Sequence, residues 1–149
     1  MDIAVAVEIP IEVCREGAVV PRYARPGDGG MDVVCPVEVT IPAGKTVIVP
    51  TGLKVAVPEG WMLLVFPRSG LSVKTGLRVA NSPGLIDAGY RDEVGIILHN
   101  TSAEDFRIDA GSRIAQFVLV ARTETRFLPV DSVDHIGENR GGGFGHTGM

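Results

Sequence analysis

No stretch of this chain approaches the eighteen or so consecutive apolar residues that a membrane-spanning helix needs, so no such span is expected. The first residues carry Asp2 and Glu8 and no basic run ahead of an apolar core, so no secretory leader is expected either. Basic residues are outnumbered: 14 Lys and Arg stand against 18 Asp and Glu, a formal charge of −4. That balance disfavours a broad electrostatic footprint on nucleic acid. It leaves room for a nucleotide, which needs only a few well-placed guanidinium and N–H groups. Metal ligands are scarce too. The 3 His (His99, His135, His146) are far apart, and neither Cys14 nor Cys35 has a partner at metal-ligand spacing, so a dedicated metal cage is not expected. Two cysteines leave a structural disulfide open. Cys35 alternates with Val33 and Val37, however, which suits a buried thiol better, and the cytoplasm is the expected compartment.

What the chain has in quantity is apolar residues and turn formers: 45% hydrophobic, with 19 Gly and 10 Pro in 149 residues. This is enough chain for one domain with a core of its own. The apolar period is two almost throughout. Ile3, Val5, Val7 and Ile9 alternate, as do Val33 to Ile41, Leu53 to Val57 and Val94 to Leu98. Turn signals fall between these runs at Pro42-Ala43-Gly44, Pro58-Glu59-Gly60, Ser82-Pro83-Gly84 and Asp109-Ala110-Gly111. Short strands with regular punctuation predict an all-β, jelly-roll-like sandwich. One short helix is expected, about Ser69 to Thr75, with Ser69 near its N-cap. The runs Trp61–Phe66 and Ile114–Val120 are apolar on both faces. A second subunit over the outer face and a central position in the sandwich would each explain that. The Gly-rich end of the chain, with little apolar material, reads as a flexible arm over 138–149 behind a β domain of 1–137.

Five segments carry chemistry. Asn81-Ser82-Pro83-Gly84-Leu85-Ile86-Asp87-Ala88-Gly89-Tyr90-Arg91 places a carboxylate, a phenol and a guanidinium straight after its Pro-Gly turn and is expected to fold as a hairpin. Pro26-Gly27-Asp28-Gly29-Gly30-Met31-Asp32-Val33 puts a carboxylate where a Gly-rich turn enters a strand. Pro67-Arg68-Ser69-Gly70-Leu71-Ser72 brings a guanidinium, a hydroxyl and free N–H groups to a helix start, a grouping that suits phosphate. Arg113-Ile114-Ala115-Gln116-Phe117 sets an amide in an apolar strand, and Arg140-Gly141-Gly142-Gly143-Phe144-Gly145-His146-Thr147-Gly148 adds an Arg and an aromatic to a mobile tail. Each has an ordinary structural reading: a surface turn, a helix cap, a satisfied amide, a loose terminus. Together, in this order, from about Pro21 to the C-terminus, they resemble the five motifs of the homotrimeric dUTP nucleotidohydrolases, the dUTPases.

That resemblance implies hydrolysis of dUTP to dUMP and pyrophosphate by water attack at the α-phosphate, limiting uracil in DNA and supplying dUMP for thymidylate. It implies Asp87 as the residue that orients and deprotonates the water. Tyr90 would lie beneath the deoxyribose and exclude a 2′-hydroxyl. Asn81 and the backbone of Leu85, Ile86 and Asp87 would read uracil, with Gly95 leaving room for close approach. Arg68, Ser69, Gly70 and Gln116 would hold the phosphates. Asp32 would reach, through water, a Mg²⁺ carried by the triphosphate. Arg140, Phe144, Gly145, His146 and Thr147 would close over the bound nucleotide, and the assembly would be a homotrimer with shared sites. Asp92 stands where the family commonly has Gly, the spacing from Arg140 to Phe144 is one residue short, and Leu71-Ser72 replaces the more familiar Leu-Ala. Two other readings remain at this point. A dCTP deaminase-like enzyme would need a Glu beside the base, whereas Glu93 falls on the far side of Tyr90. A non-catalytic nucleotide-binding jelly roll would need neither Asp87 nor the arm.

Overall fold

The two-residue alternation becomes eleven short strands and one helical turn and a half among the described residues, which are 6–145 and 148 of a computed structural model. The strands are β1 (Ile11–Val13), β2 (Met31–Val34), β3 (Val39–Ile41), β4 (Thr46–Pro50), β5 (Leu53–Val55), β6 (Trp61–Phe66), β7 (Leu77–Val79), β8 (Gly84–Ile86), β9 (Gly95–Asn100), β10 (Phe106–Ile108) and β11 (Arg113–Ala121). The helix, α1, spans Ser69–Lys74. Every pairing is antiparallel: β1 with β5, β3 with β10, a four-stranded sheet β2-β11-β6-β8 and a three-stranded sheet β4-β9-β7.

The alternating residues meet between these sheets. Val33, Cys35, Ile41, Val49, Leu53, Leu63, Ile96, Leu98 and Ile114 are closed to solvent, each worth about 1.5–3 kcal/mol of burial for a side chain of the larger kinds. Two polar side chains share that interior because local carbonyls satisfy them. Thr51 Oγ1 donates to Val94 O at 2.6 Å, and Asn100 Nδ2 donates to Ile41 O at 2.9 Å and Glu104 O at 2.8 Å. Cys14 is exposed and Cys35 buried, both free, so the disulfide left open above is absent. Burial pushes the Cys35 thiol pKa up.

Three expectations change. The alternation at Ile3–Ile9 does not give a strand in its described part; residues 6–10 are irregular, and the strand begins at Ile11, where Ile11 and Val13 pair with Val55 and Leu53. The Val33–Ile41 run breaks at Pro36, which cannot donate to a ladder, and yields β2 and β3 in different sheets. The Ser82-Pro83-Gly84 turn, whose Ser82–Pro83 peptide is cis, does not close a hairpin. It carries the chain from β7 in one sheet to β8 in the other, so the site segment bridges the two layers. In the helix, Arg68 occupies the N-cap with no side-chain cap bond, and Ser69 follows as the first helical residue, next to the cap as expected.

The doubly apolar β6 and β11 pair with one another over Gln116↔Phe66 to Ala121↔Trp61. Leu63, Val65 and Phe117 point inward and are buried. Met62, Leu64, Phe66, Val118 and Val120 take the alternate positions and form a half-exposed apolar outer face, extended by Leu85 at 56% exposure. After Ala121 the described chain forms no strand and is exposed throughout.

Candidate active site

The sheet β2-β11-β6-β8 gathers the first polar cluster at one end. Asp32 of β2 lies opposite Gln116 of β11, which lies opposite Phe66 of β6, and β6 runs directly into Pro67 and Arg68. Arg68 Nε donates to Asp32 Oδ1 at 2.9 Å, with both side chains about a quarter exposed. Arg113 approaches Asp32 Oδ2 at 3.8 Å from β11. Gln116 Nε2 donates to Pro67 O at 2.9 Å, tying the strand to the start of α1. Gly30 makes this possible: a Cβ there would stand 2.6 Å from Gln116 Oε1. Ser69 and Gly70 follow in the first turn of α1, exposed, and open space surrounds Gly70. All five predicted phosphate-side residues therefore meet at one place. Gly30, Pro67 and Arg113 belong to it as well; each sat inside a quoted segment but carried no local signal of its role.

The second cluster surrounds a pocket of about 180 Å³ lined by Val65, Asn81, Gly84, Leu85, Ile86, Tyr90, Val94 and Gly95. Asn81 Nδ2 lies 3.3 Å from where a Gly84 Cβ would be, so the amide faces the pocket across a bare backbone. Ile86 turns its side chain into the core, which leaves its backbone toward the pocket side of β8. Gly95 lines the pocket, but the space its missing Cβ leaves is filled by the Ile48 side chain of β4 rather than left open. Asp87 is exposed at the end of β8, and its carboxylate makes no hydrogen bond among the described residues. A turn bond from Tyr90 N to Asp87 O at 3.1 Å sets the two residues on one loop. Arg91, unassigned in the sequence, donates from Nη1 to Ala88 O at 2.6 Å and Tyr90 O at 2.9 Å, which braces that turn.

Glu93 has a structural partner. Arg15 holds its carboxyl below the usual carboxylate range, burial opposes this, and the Gly52 N–H and Lys54 charge assist. Its two oxygens are engaged by Arg15 and Gly52, which removes it from the water-activating part a deaminase would require.

The tail lies apart. Arg140 and Gly145 are exposed, Phe144 is fully so, and none of the three bonds to either cluster among the described residues. His146 and Thr147 lie outside the described residues. No group of three or more His, Cys, Asp or Glu that could hold a metal ion occurs among the described residues. Asp32 is a single carboxylate with one oxygen committed to Arg68. That donor set fits a cation that brings its own ligands and is reached through water, as Mg²⁺ on a polyphosphate would be.

A family model described as dUTPase matches residues 16–148. A deoxyuridine 5'-triphosphate nucleotidohydrolase of Cutibacterium acnes is 46% identical over 130 residues, 87% of this chain and 85% of the relative. Among solved structures, a mutant dUTPase of Staphylococcus bacteriophage 80alpha with dUpNHpp aligns at TM-score 0.86 and 25% identity, covering 95% of this chain and 99% of that one. A mutant dUTPase from phage phi11 of S. aureus, described with a structural Mg(II) ion, shares the fold at TM-score 0.77 and 24% identity, over 85% of this chain and 98% of that one.

Proposed function

The chain belongs to the dUTPase family, and on that premise we propose that it hydrolyses dUTP to dUMP and pyrophosphate. The observation that carries this reading is the pairing of a guanidinium–carboxylate–amide cluster with a small pocket edged by an amide and bare backbone, both reached from neighbouring strands β6 and β8.

Asp87 aims a water at the α-phosphate and takes its proton as the phosphorus–oxygen bond forms. An exposed carboxylate with no hydrogen-bond partner among the described residues suits that task. Hydrogen bonds from Asn81 and the backbone of Leu85 to Asp87 read the uracil edge. Cytosine is rejected because its donors and acceptors would leave buried groups unpaired, and the thymine methyl because the pocket near Gly84 and Gly95 is narrow. Tyr90 blocks a 2′-hydroxyl. Arg68, Ser69, Gly70 and Gln116 neutralise and orient the phosphates; positioning and electrostatics are most of what a protein supplies to such chemistry. A Mg²⁺ carried by the triphosphate would spread the charge that develops on the phosphate oxygens, with Asp32 holding one of its waters.

The assembly is proposed as a homotrimer with sites shared between subunits. The half-exposed face of Met62, Leu64, Phe66, Val118 and Val120 supports it, because an apolar sheet face of this kind calls for a cover. Residues 1–137 then form the β domain and 138–149 the arm. Arg140, Phe144, Gly145, His146 and Thr147 close on the bound nucleotide, the guanidinium toward the phosphates and the ring over the base. The site of action is the cytoplasm.

The deciding experiment is pyrophosphate release with magnesium present. Release from dUTP, and not from dTTP, dCTP or UTP, is expected; release from all four at similar rates would overturn the specificity, and none from dUTP the activity.

A further inference from the structure

Arg15 and Glu93 lie 78 positions apart, and neither belongs to the five segments that carry the chemistry. They form a fork: Arg15 Nε donates to Glu93 Oε2 at 2.6 Å, and Arg15 Nη2 to Oε1 at 2.8 Å. Such bidentate geometry fixes a carboxylate in orientation as well as position. The Gly52 N–H adds a third bond to Oε2 at 2.8 Å. Its surroundings leave little choice of residue. Gly52 has φ +72°, and a Cβ there would stand 2.6 Å from Ala18 Cβ and 2.9 Å from Arg15 Cβ. The Cys14 N–H donates to Gly52 O at 2.8 Å, so the N-terminal segment and the β4–β5 turn are joined at the same point.

The end of this chain of contacts is functional. The backbone carbonyl of Glu93 accepts the Tyr90 hydroxyl at 2.8 Å. Tyr90 itself is 39% exposed and sits on a loop, where its ring would otherwise be free to swing.

We infer that Arg15 and Glu93 are positioning residues for sugar selection: by fixing the Glu93 main chain they fix the acceptor of the Tyr90 hydroxyl, and so the height of the Tyr90 ring against the nucleoside pocket. This rests on the reading of Tyr90 given above. A ring displaced by a fraction of its thickness no longer excludes a hydroxyl, so an exposed ion pair outside the pocket sets which sugar is accepted. Arg15 acts through Glu93 and Tyr90 and touches no reacting atom.

The test compares kcat/KM for dUTP and UTP in the parent, Arg15→Ala, Arg15→Lys, Tyr90→Phe and the Arg15→Ala/Tyr90→Phe pair. Arg15 is 46% exposed, so these chains are expected to fold. Arg15→Ala is expected to lower the dUTP-to-UTP ratio about tenfold, the scale that small misplacements near a reacting centre produce. Arg15→Lys restores part of it, since an ammonium supplies the charge without the fork. In the Tyr90→Phe background, where the hydroxyl link is already cut, Arg15→Ala leaves the ratio unchanged. A purely structural role would instead lower the rates for both nucleotides together at constant ratio. That result, or an equal fall of the ratio in both backgrounds, overturns the inference. A parent that does not distinguish dUTP from UTP overturns the reading of Tyr90, and this inference with it.

Discussion

The loop after β8 and the segment after β11 both hold proposed site residues, and they are held in opposite ways. The loop from Asp87 to Val94 is braced from three sides. Arg91 ties its own turn, Tyr90 bonds Glu93, and Glu93 is gripped by Arg15 and Gly52 from two other parts of the chain. Among the described residues, the segment after Ala121 is anchored once, by Arg122 N to Gly60 O at 2.8 Å. Its remaining bonds are local, such as Thr125 to Thr123 and Gly141 to Asn139. Yet it exposes Phe127 at 91%, Leu128 at 83% and Val133 at 70%, side chains that stay in water only until something covers them. Precision does not need regular structure; it needs bonds to elements that are themselves fixed. The loop has such bonds, and among the described residues the tail has only the one at Arg122.

Four measurements would break or sharpen that contrast. The largest effect is expected in the braced loop. Asp87→Asn keeps the shape and loses the base, so kcat should fall by up to about 10⁴-fold while dUTP binding stays within about tenfold. Near-parental turnover would show that the water is activated by another group.

The tail comes next. A chain ending at Gly137 should fold and assemble as the parent does and lose on the order of 10³ in kcat, the scale of arginine fingers in other phosphoryl-transfer enzymes. A chain ending at Ala121 should in addition sediment as a smaller species, because it sheds Phe127, Leu128 and Val133. If both truncated chains keep the parental size, the exposed apolar side chains of the tail are not interface.

A smaller effect returns to the loop. Tyr90→Ala should raise kcat/KM for UTP relative to dUTP by about 10–100-fold, measured in one competition assay, since the site would then lack its obstacle to the 2′-hydroxyl.

The smallest concerns the brace itself. Glu93 is held below its ordinary 4.5, chiefly by Arg15, with Lys54 the other charge facing it. A carboxyl with a lowered folded pKa stabilises the fold fully above its unfolded value and loses that contribution as pH falls through the folded one. The gap in Tm between the parent and Glu93→Gln should therefore be flat above about pH 5 and close as the solution is taken lower. A gap that is unchanged in acid would mean that the ion pair contributes nothing the amide does not.

The β layers were legible because burial has a period. Val33, Cys35, Ile41, Leu53, Val55, Ile96 and Leu98 alternate in the chain and are buried in the structure. The helix was readable to within a residue from a Pro-Arg-Ser start. Turn chemistry, by contrast, says that the chain reverses and not which sheet receives the next strand. Ser82-Pro83-Gly84 therefore suggested a hairpin where β7 and β8 lie in different layers. Asp32, Arg68, Ser69, Gly70 and Gln116 come together at one end of a sheet and Asn81, Leu85, Ile86, Tyr90 and Gly95 line one pocket, whereas Arg140, Phe144 and Gly145 bond to neither place among the described residues. What remained invisible were contacts between distant positions: Gly30 against Gln116, Ile48 over Gly95, and Arg15 on Glu93. None has a pattern in sequence, because each depends on which segments, distant in the chain, come to lie side by side.

β11 begins beside the Asp32–Arg68 cluster and ends, at Ala121 opposite Trp61, on the far side of the sheet. The tail thus departs from the edge remote from the phosphates it is proposed to meet, and Arg140 follows on a leash of roughly eighteen residues. On the proposed reading it would act as a ligand on a tether, at a local concentration near the millimolar range for short flexible linkers. Catalysis would then depend on leash length as well as on contacts. Doubling residues 122–139 with Gly and Ser would dilute the guanidinium about threefold by the −3/2 power of length, with every side chain of both clusters untouched.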